Sequence, residues 1–179
     1  MANQTDQLFL AGAAVVALIG AYFDVFHNVT IPNRFTFSAF LAGIFAHGFV
    51  GGWKGAATAL AGALLAFVPM MLLALIKVMG GGDVKLLTAV AAFASLPMVF
   101  YELTFTFIAG GVMGLALITF KGQFKKRLIN VHLIVQHHIQ HGLQPHPDFH
   151  LDGPGAMPMP YGPAIAAGSI AVFLFRSYL

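Results

Sequence analysis

The chain alternates long apolar runs with short polar stretches. The apolar runs fall near residues 8–23, 36–52, 55–79, 84–100, 102–120 and 161–178. They are continuous rather than alternating, which favours helices over strands. A helix of roughly 20 apolar residues crosses the hydrocarbon core of a bilayer. The pattern therefore predicts an all-α polytopic membrane protein with about six transmembrane helices.

One polar segment, about 121–160, interrupts the apolar pattern. Its first part, 124–141, begins with basic residues and then mixes Leu, Ile and Val with histidines. This composition predicts a helix lying at the level of the lipid headgroups on the cytoplasmic side. Proline and glycine dominate from Pro145 to Pro160 and predict a loop. No second core is indicated, so residues 1–179 are expected to form a single integral-membrane domain.

Composition narrows the class of protein. Hydrophobic residues make up 59% of the chain and charged residues 8%, whereas soluble domains carry about 25% charged residues. The expected partner is the lipid bilayer and not a nucleic acid. The chain has no cysteine, which excludes disulfides, thiolate metal sites and a cysteine nucleophile. No Lys or Arg precedes the first apolar run, so we expect a retained transmembrane helix rather than a signal peptide.

The positions of the basic residues predict the orientation of the chain in the membrane. If the polar stretch after the first run is cytoplasmic, seven of the nine Lys and Arg residues lie inside, and only Lys54 and Arg176 lie outside. This distribution follows the positive-inside rule. It places both termini on the periplasmic side and stretches 24–35, 79–84 and 121–160 in the cytoplasm. A bacterial inner membrane is the expected location.

Two carboxylic acids stand out among the six in the chain. Asp24 follows the first apolar run, and Asp83 follows Gly80-Gly81-Gly82 after the third. Both are predicted at cytoplasmic ends of spans and at similar depth, where ionisable groups are costly and usually functional. Two carboxyls that approach closely share a proton, which provides a general acid beside a general base. Such a pair hydrolyses an amide by activating water.

The three glycines before Asp83 have a possible mechanical use. Gly80, Gly81 and Gly82 would loosen the helix and allow a substrate chain to approach the backbone closely. An ordinary glycine turn at a helix end explains the glycines alone equally well. The combination with Asp83 and a new apolar run favours a cleft.

Three segments resemble the type IV prepilin peptidases, which belong to the G-x-G-D intramembrane aspartyl proteases. They are Gly80-Gly81-Gly82-Asp83-Val84-Lys85-Leu86-Leu87, Asp24 followed by Ile31-Pro32-Asn33, and Pro160-Tyr161-Gly162-Pro163-Ala164. The resemblance implies that Asp24 and Asp83 are the catalytic pair. It also implies that Gly80 and Gly82 are the motif glycines, with Lys85 beside them.

The resemblance also implies a reaction. Members of that family remove a short basic leader from prepilin or pseudopilin precursors at the cytoplasmic face, and no cofactor is expected for this step. Longer members carry paired cysteines that bind zinc, and they also N-methylate the new pilin terminus. This chain lacks cysteine and is similar to the short form, so we expect a peptidase without methyltransferase activity.

Several further residues carry alternatives. Lys85 either acts electrostatically on Asp83 or anchors a span at the cytoplasmic surface, and both interpretations stay open. Asn33 is expected to cap the helix that begins near Thr36. Glu102 is expected at the outer end of a span, in contact with water.

The histidines of the polar segment include His137 and His141, which are spaced to share one face of a helix. This spacing is compatible with zinc. A solvated interfacial helix is favoured instead, and no metal site is predicted. His27 is expected to face the membrane interface.

Two other function classes compete with the peptidase. An ion- or proton-coupled transporter would use intramembrane acids near the bilayer midplane, whereas these acids are predicted at the cytoplasmic ends. A non-catalytic scaffold for pilus assembly would explain the composition but gives Asp24 and Asp83 no purpose. Transport in proteoliposomes and the proximity of the two carboxyls separate these hypotheses. The sequence sets no oligomeric state.

Overall fold

The computed structural model describes residues 4–27, 30–122, 124–144, 146, 147, 149, 159–176 and 178, without the side chains of 124–128. The secondary structure within these ranges is helical, which confirms the all-α prediction. The helices are α1 (Gln4–Phe26), α2 (Asn33–Leu75), α3 (Gly81–Phe120), α4 (Phe124–His141) and α5 (Gly162–Phe175). Three of them, α1, α2 and α3, are long and apolar enough to cross a membrane, and α5 is a shorter apolar helix.

Helix α2 folds back on itself at Gly52. The backbone of Gly52 has φ 59° and ψ −151°, a conformation outside the helical region that glycine adopts without a Cβ clash. In a straight helix His47 and Gly55 would be separated by about 12 Å along the axis. Instead, a methyl group on Gly55 would overlap the carbonyl oxygen of His47. Helix α2 is therefore two packed arms, residues 33–51 and 53–75.

Helix α3 also reverses direction, at Ser95, where φ is 62° and ψ is 170°. Its first arm, 81–94, runs opposite to α1, because Gly20 meets Leu86 whereas Gly12 meets Phe93. Helix α5 in turn runs opposite to α1, since Gly162 adjoins Asp24 while the far ends of both helices share one apolar cluster.

The second arm of α3, residues 96–120, runs opposite to α5. Tyr161 packs on Gly110, and Gly168 packs on Thr106. Because the first arm of α3 runs parallel to α5 and the second runs antiparallel to it, the two arms of α3 form a hairpin.

The bundle thus has two ends. One end holds Asp24, Asp83 and Gly162. The other end holds a cavity of about 120 Å³ that Asp6, His47, Ser95 and Arg176 help to line.

The reversal in α3 corrects a predicted boundary. The sequence pattern separates apolar runs at 84–100 and 102–120, next to Glu102, whereas the structure reverses six residues earlier in the sequence. Pro97 explains the position, because proline lacks an N–H and is tolerated in the first turn of a helix. The reversal at Ser95 puts Pro97 in the first turn of the second arm.

Small side chains bring the helices close together. Alanines of α1, of the second arm of α2 and of the first arm of α3 are fully buried, including Ala17, Ala59 and Ala89. Small residues allow close helix approach in lipid, where apolar burial supplies little driving force. Many other large apolar side chains face outward, and Phe49 is 94% exposed. Much of the outer surface is therefore apolar.

The polar segment contains the predicted helix, because α4 has the bounds that the sequence pattern gave. The basic side chains at its start, Lys125, Lys126 and Arg127, lie outside the described residues, as does most of the predicted loop Pro145–Pro160. The location of α4 at the headgroup level stays a prediction.

Candidate active site

Asp24 lies in the last turn of α1 and is buried, with 1% of its surface exposed. The negative end of the α1 dipole disfavours a carboxylate there. Backbone N–H donors of Tyr161 and Gly162, which are distant in the sequence, offset this unfavourable interaction. The N–H of Gly162 donates to Oδ2 of Asp24 over 2.6 Å, and the N–H of Tyr161 also donates to this carboxyl. Asp24 therefore accepts hydrogen bonds from the unpaired donors at the N-terminus of α5.

Asp83 lies in the first turn of α3 and is 7% exposed. Gly80 is the N-cap residue of this helix, and its carbonyl accepts the N–H of Asp83 over 3.1 Å. The carboxyl of Asp83 reaches back and accepts the N–H of Gly80. This is the return half of a capping box. The positive end of the α3 dipole favours the carboxylate at this position.

The fold brings the two acids together, although 59 positions of sequence separate them. Their carboxyls interact electrostatically, and each accepts N–H donors at a helix N-terminus, the Asp83 carboxyl at α3 and the Asp24 carboxyl at α5. The second oxygen of Asp24, Oδ1, is buried and has no hydrogen-bond partner within the described residues.

The glycines before Asp83 differ in what surrounds them. A methyl group on Gly80 would lie 3.0 Å from Oδ2 of Asp83, whereas one on Gly81 would have no atom within 4 Å. A methyl group on Gly82 would make ordinary contact with Ile31 at 3.7 Å. Gly81 and Gly82 form the first turn of α3 rather than a loosened stretch. Of these three glycines, only Gly80 lies so close to the Asp83 carboxyl that a larger residue would disturb it.

Lys85 lies on the exposed side of α3 and donates to Oδ1 of Asn33 over 2.8 Å. This bond joins the start of α3 to the start of α2. The prediction that Asn33 caps α2 is wrong, because the helix begins one residue earlier than a cap at Asn33 requires. Pro32 is its N-cap residue and makes no side-chain capping bond. The amide side chain of Asn33 is thereby free to hold Lys85.

A groove opens beside Lys85 and Asn33. It has a volume of about 550 Å³ and lies between the two arms of α2 and the first arm of α3. The apolar lining includes Phe37, Phe40 and Phe67. One end of the groove is polar, and the helix that forms that end also carries Asp83.

Tyr161 was not singled out as a site residue by the sequence. Its hydroxyl donates to the carbonyl oxygen of Thr106 over 3.5 Å and interacts electrostatically with Asp83. Its ring packs on Gly110, where a methyl group would overlap it. The Pro160–Ala164 segment carried the only signal, as part of a family resemblance. The donors at Tyr161 and Gly162 are backbone groups and have no residue-type signature.

Glu102 contradicts its predicted place in water at the end of a span. It lies within the second arm of α3 with 0% exposure, and its Oε2 accepts the hydroxyl of Ser169 over 3.0 Å. His27 lies at the end of α1, where its ring contacts those of Tyr22 and Phe23.

The α4 histidines form a cluster on one face. The rings of His137 and His141 stack at 4.6 Å, and His146 approaches His137 at 4.9 Å. Partial burial, followed by the neighbouring imidazoles, lowers the pKa of His137 below its ordinary value. Protonation of this histidine is therefore disfavoured. Within the described part of the chain, no three His, Cys, Asp or Glu side chains are arranged to hold a metal ion.

A comparison with protein families identifies the family of the chain. The model of the type IV leader peptidase family matches residues 11–115. The chain belongs to this family. No curated protein and no solved structure matches it. Membership makes the chain a leader peptidase homologue, and its apolar helices make it a membrane protein. The matched range contains both Asp24 and Asp83 but ends before α5, whose backbone holds Asp24.

Proposed function

We propose that this member of the type IV leader peptidase family is an aspartyl endopeptidase that removes the leader from prepilin-like precursors at the cytoplasmic face of the membrane. The observation that carries the proposal is the pairing of two buried carboxyls at one end of the bundle. Asp24 and Asp83 interact electrostatically, and each is held by backbone N–H donors at a helix N-terminus.

The chemistry follows from one proton shared by the two carboxyls. The ionised member takes a proton from a water as that water attacks the peptide carbonyl carbon. The protonated member donates its proton to the carbonyl oxygen, which gives a tetrahedral gem-diol. The first carboxyl then gives the proton it took from the water to the leaving amine as the C–N bond breaks, and the second takes back a proton from a gem-diol hydroxyl as the new carboxyl group forms. No covalent intermediate with the enzyme forms. The dyad titrates as a unit, so neither residue alone is the acid or the base.

The groove between α2 and α3 provides a place for the apolar helix of the precursor. The groove is lined mainly by apolar side chains, with Lys85 and Asn33 at its polar end. The start of α3, which carries Lys85, also carries Asp83. A precursor helix in this groove would leave its polar leader at the dyad end. The peptide bond at the junction would then lie beside the two carboxyls.

The orientation in the membrane follows from charge. Six crossings result if α1, both arms of α2, both arms of α3 and α5 each traverse the bilayer. Seven of the nine basic residues then belong to the dyad end, which assigns that end to the cytoplasm. Both termini would be periplasmic, in a bacterial inner membrane. The chain lacks the paired cysteines that accompany N-methylation in longer members, which supports a peptidase without N-methyltransferase activity.

The test is cleavage of co-expressed prepilin precursors, followed by gel shift. Wild type should cleave, whereas Asp24→Asn and Asp83→Asn should each lose at least about 100-fold in rate, because each removes half of the acid–base pair. Asp6→Asn, at the opposite end of the bundle, is the matched control and should cleave like wild type. Undiminished cleavage by both active-site variants would exclude the dyad.

A further inference from the structure

Glu102 is a buried ionisable group that the proposed chemistry does not use. It has 0% exposure, and its Oε1 has no hydrogen-bond partner within the described residues. Burying a carboxyl with one oxygen unpaired costs free energy that an apolar side chain would not cost. Its other oxygen, Oε2, accepts the hydroxyl of Ser169, and this bond links two helices.

This bond joins the second arm of α3 to α5 in a tightly packed interface. Gly168 precedes Ser169, and a methyl group there would overlap the hydroxyl of Thr106 and lie 2.7 Å from its backbone nitrogen. Ser169 and Thr106 are both fully buried. Such packing fixes how far apart the two helices lie. The hydrogen bond between Ser169 and Glu102 adds a directional constraint on the position of α5 along its own axis.

The same face of α5 ends at the dyad. Seven residues, or about 10 Å of helix, separate Ser169 from Gly162. The N–H groups of Gly162 and Tyr161 donate to the carboxyl of Asp24. The Gly162 bond is 2.6 Å long, so a slip of about 1 Å along the helix axis would break or misalign it. The axial position of α5 therefore sets the environment of Asp24.

We propose that Glu102 is a positioning residue, whose hydrogen bond to Ser169 fixes the axial register of α5 and so holds the Gly162 N–H on Asp24. The inference rests on the proposed peptidase function. Glu102 touches neither substrate nor the reacting atoms. The groove does not include α5, because it is built from α2 and the first arm of α3.

The decisive variants are Glu102→Leu, Glu102→Gln and Ser169→Ala, measured as kcat and KM on a precursor that wild type cleaves. Glu102→Leu should lower kcat at least about tenfold, since misplacement by about 1 Å costs up to 100-fold, and should leave KM within about twofold. Glu102→Gln should keep at least half of the wild-type kcat, because its amide oxygen accepts the Ser169 hydroxyl. Thr104→Val, at an exposed threonine of the same arm, is the control and should change neither constant.

A double variant tests the route. Gly162→Ala disturbs the same contact directly, because its methyl group would lie 2.9 Å from the Cβ of Asp24. If Glu102 acts through Gly162, then Glu102→Leu with Gly162→Ala should be no slower than Gly162→Ala alone. Fully additive losses would overturn the inference, as would a wild-type kcat for Glu102→Leu.

Thermal unfolding separates folding from positioning. If Glu102→Leu does not fold, Ser169→Ala carries the test, and an unchanged kcat in that variant overturns the inference. Failure of the proposed function has a different signature: the Asp24→Asn and Asp83→Asn variants would then cleave like wild type.

Discussion

A methyl group on Gly80 would lie 3.0 Å from Oδ2 of Asp83. At that distance the carboxyl must move by a few tenths of an ångström or lose its hydrogen bond to the Gly80 N–H. The neighbouring Gly81 has open space where its Cβ would be. Gly80 and Gly81 therefore differ in the space available for a side chain, although they look equivalent in the sequence.

Gly80→Ala should therefore lower kcat about tenfold, given that misplacement by about 1 Å costs up to 100-fold. Gly81→Ala is the matched control, and its kcat should stay within about twofold of wild type. Initial rates at saturating precursor give both values. Equal losses in the two variants would mean that loosening of the backbone, and not the position of the carboxyl, is what the glycines provide.

The groove offers a second prediction. Leu64 lines it and is 51% exposed, so Leu64→Trp should partly fill the space proposed for the precursor helix. We expect KM to rise about tenfold, which corresponds to about 1.4 kcal/mol of lost binding free energy, with kcat little changed.

Leu72→Trp is the control for the groove. Leu72 lies two turns further along the same arm, is 44% exposed and does not line the groove. Its KM should match that of wild type. A KM for Leu64→Trp that equals the wild-type value would exclude this groove as the place where the precursor helix binds.

The reversal of α3 gives a prediction about stability. Ser95 has φ 62° and ψ 170°, a region populated almost only by glycine, where another residue costs about 1–3 kcal/mol. Ser95→Gly should relieve this strain and raise the free energy of unfolding by about 1 kcal/mol after the entropic cost of glycine. The measurement is thermal unfolding in detergent.

A serine in ordinary helical geometry provides the comparison. Ser38 is an exposed residue of α2, and Ser38→Gly should lower the free energy of unfolding by about 0.5 kcal/mol. A loss of stability in both variants would show that Ser95 is not strained in the membrane-embedded protein.

Part of this architecture could be predicted from the sequence. The apolar runs predicted where the helices lie. The positions of Asp24 and Asp83 beside these runs predicted that both acids lie at one end of the bundle. The fold-back at Ser95 could not be predicted, although Pro97 lies close to it, because proline also occurs within membrane helices, as Pro69 does in the second arm of α2. Glu102 misled the prediction for the opposite reason. A lone acid in an apolar stretch suggests a helix end in water, but the hydroxyl that accompanies it is 67 residues away in the sequence.

The bond between Gly162 and Asp24 spans 138 residues, and this separation has a consequence for biosynthesis. Asp24 and then Asp83 are made before the N–H groups of Tyr161 and Gly162 that hold Asp24. At about 5–20 residues per second, synthesis of the intervening chain takes roughly 7–28 s. During that interval Asp24 is present in the nascent chain without its donors, and Asp83 joins it 59 residues after Asp24. The hydrogen-bonded arrangement therefore arises only after the α5 segment has left the ribosome and packed against α1, so the site is completed later than its two acids are made.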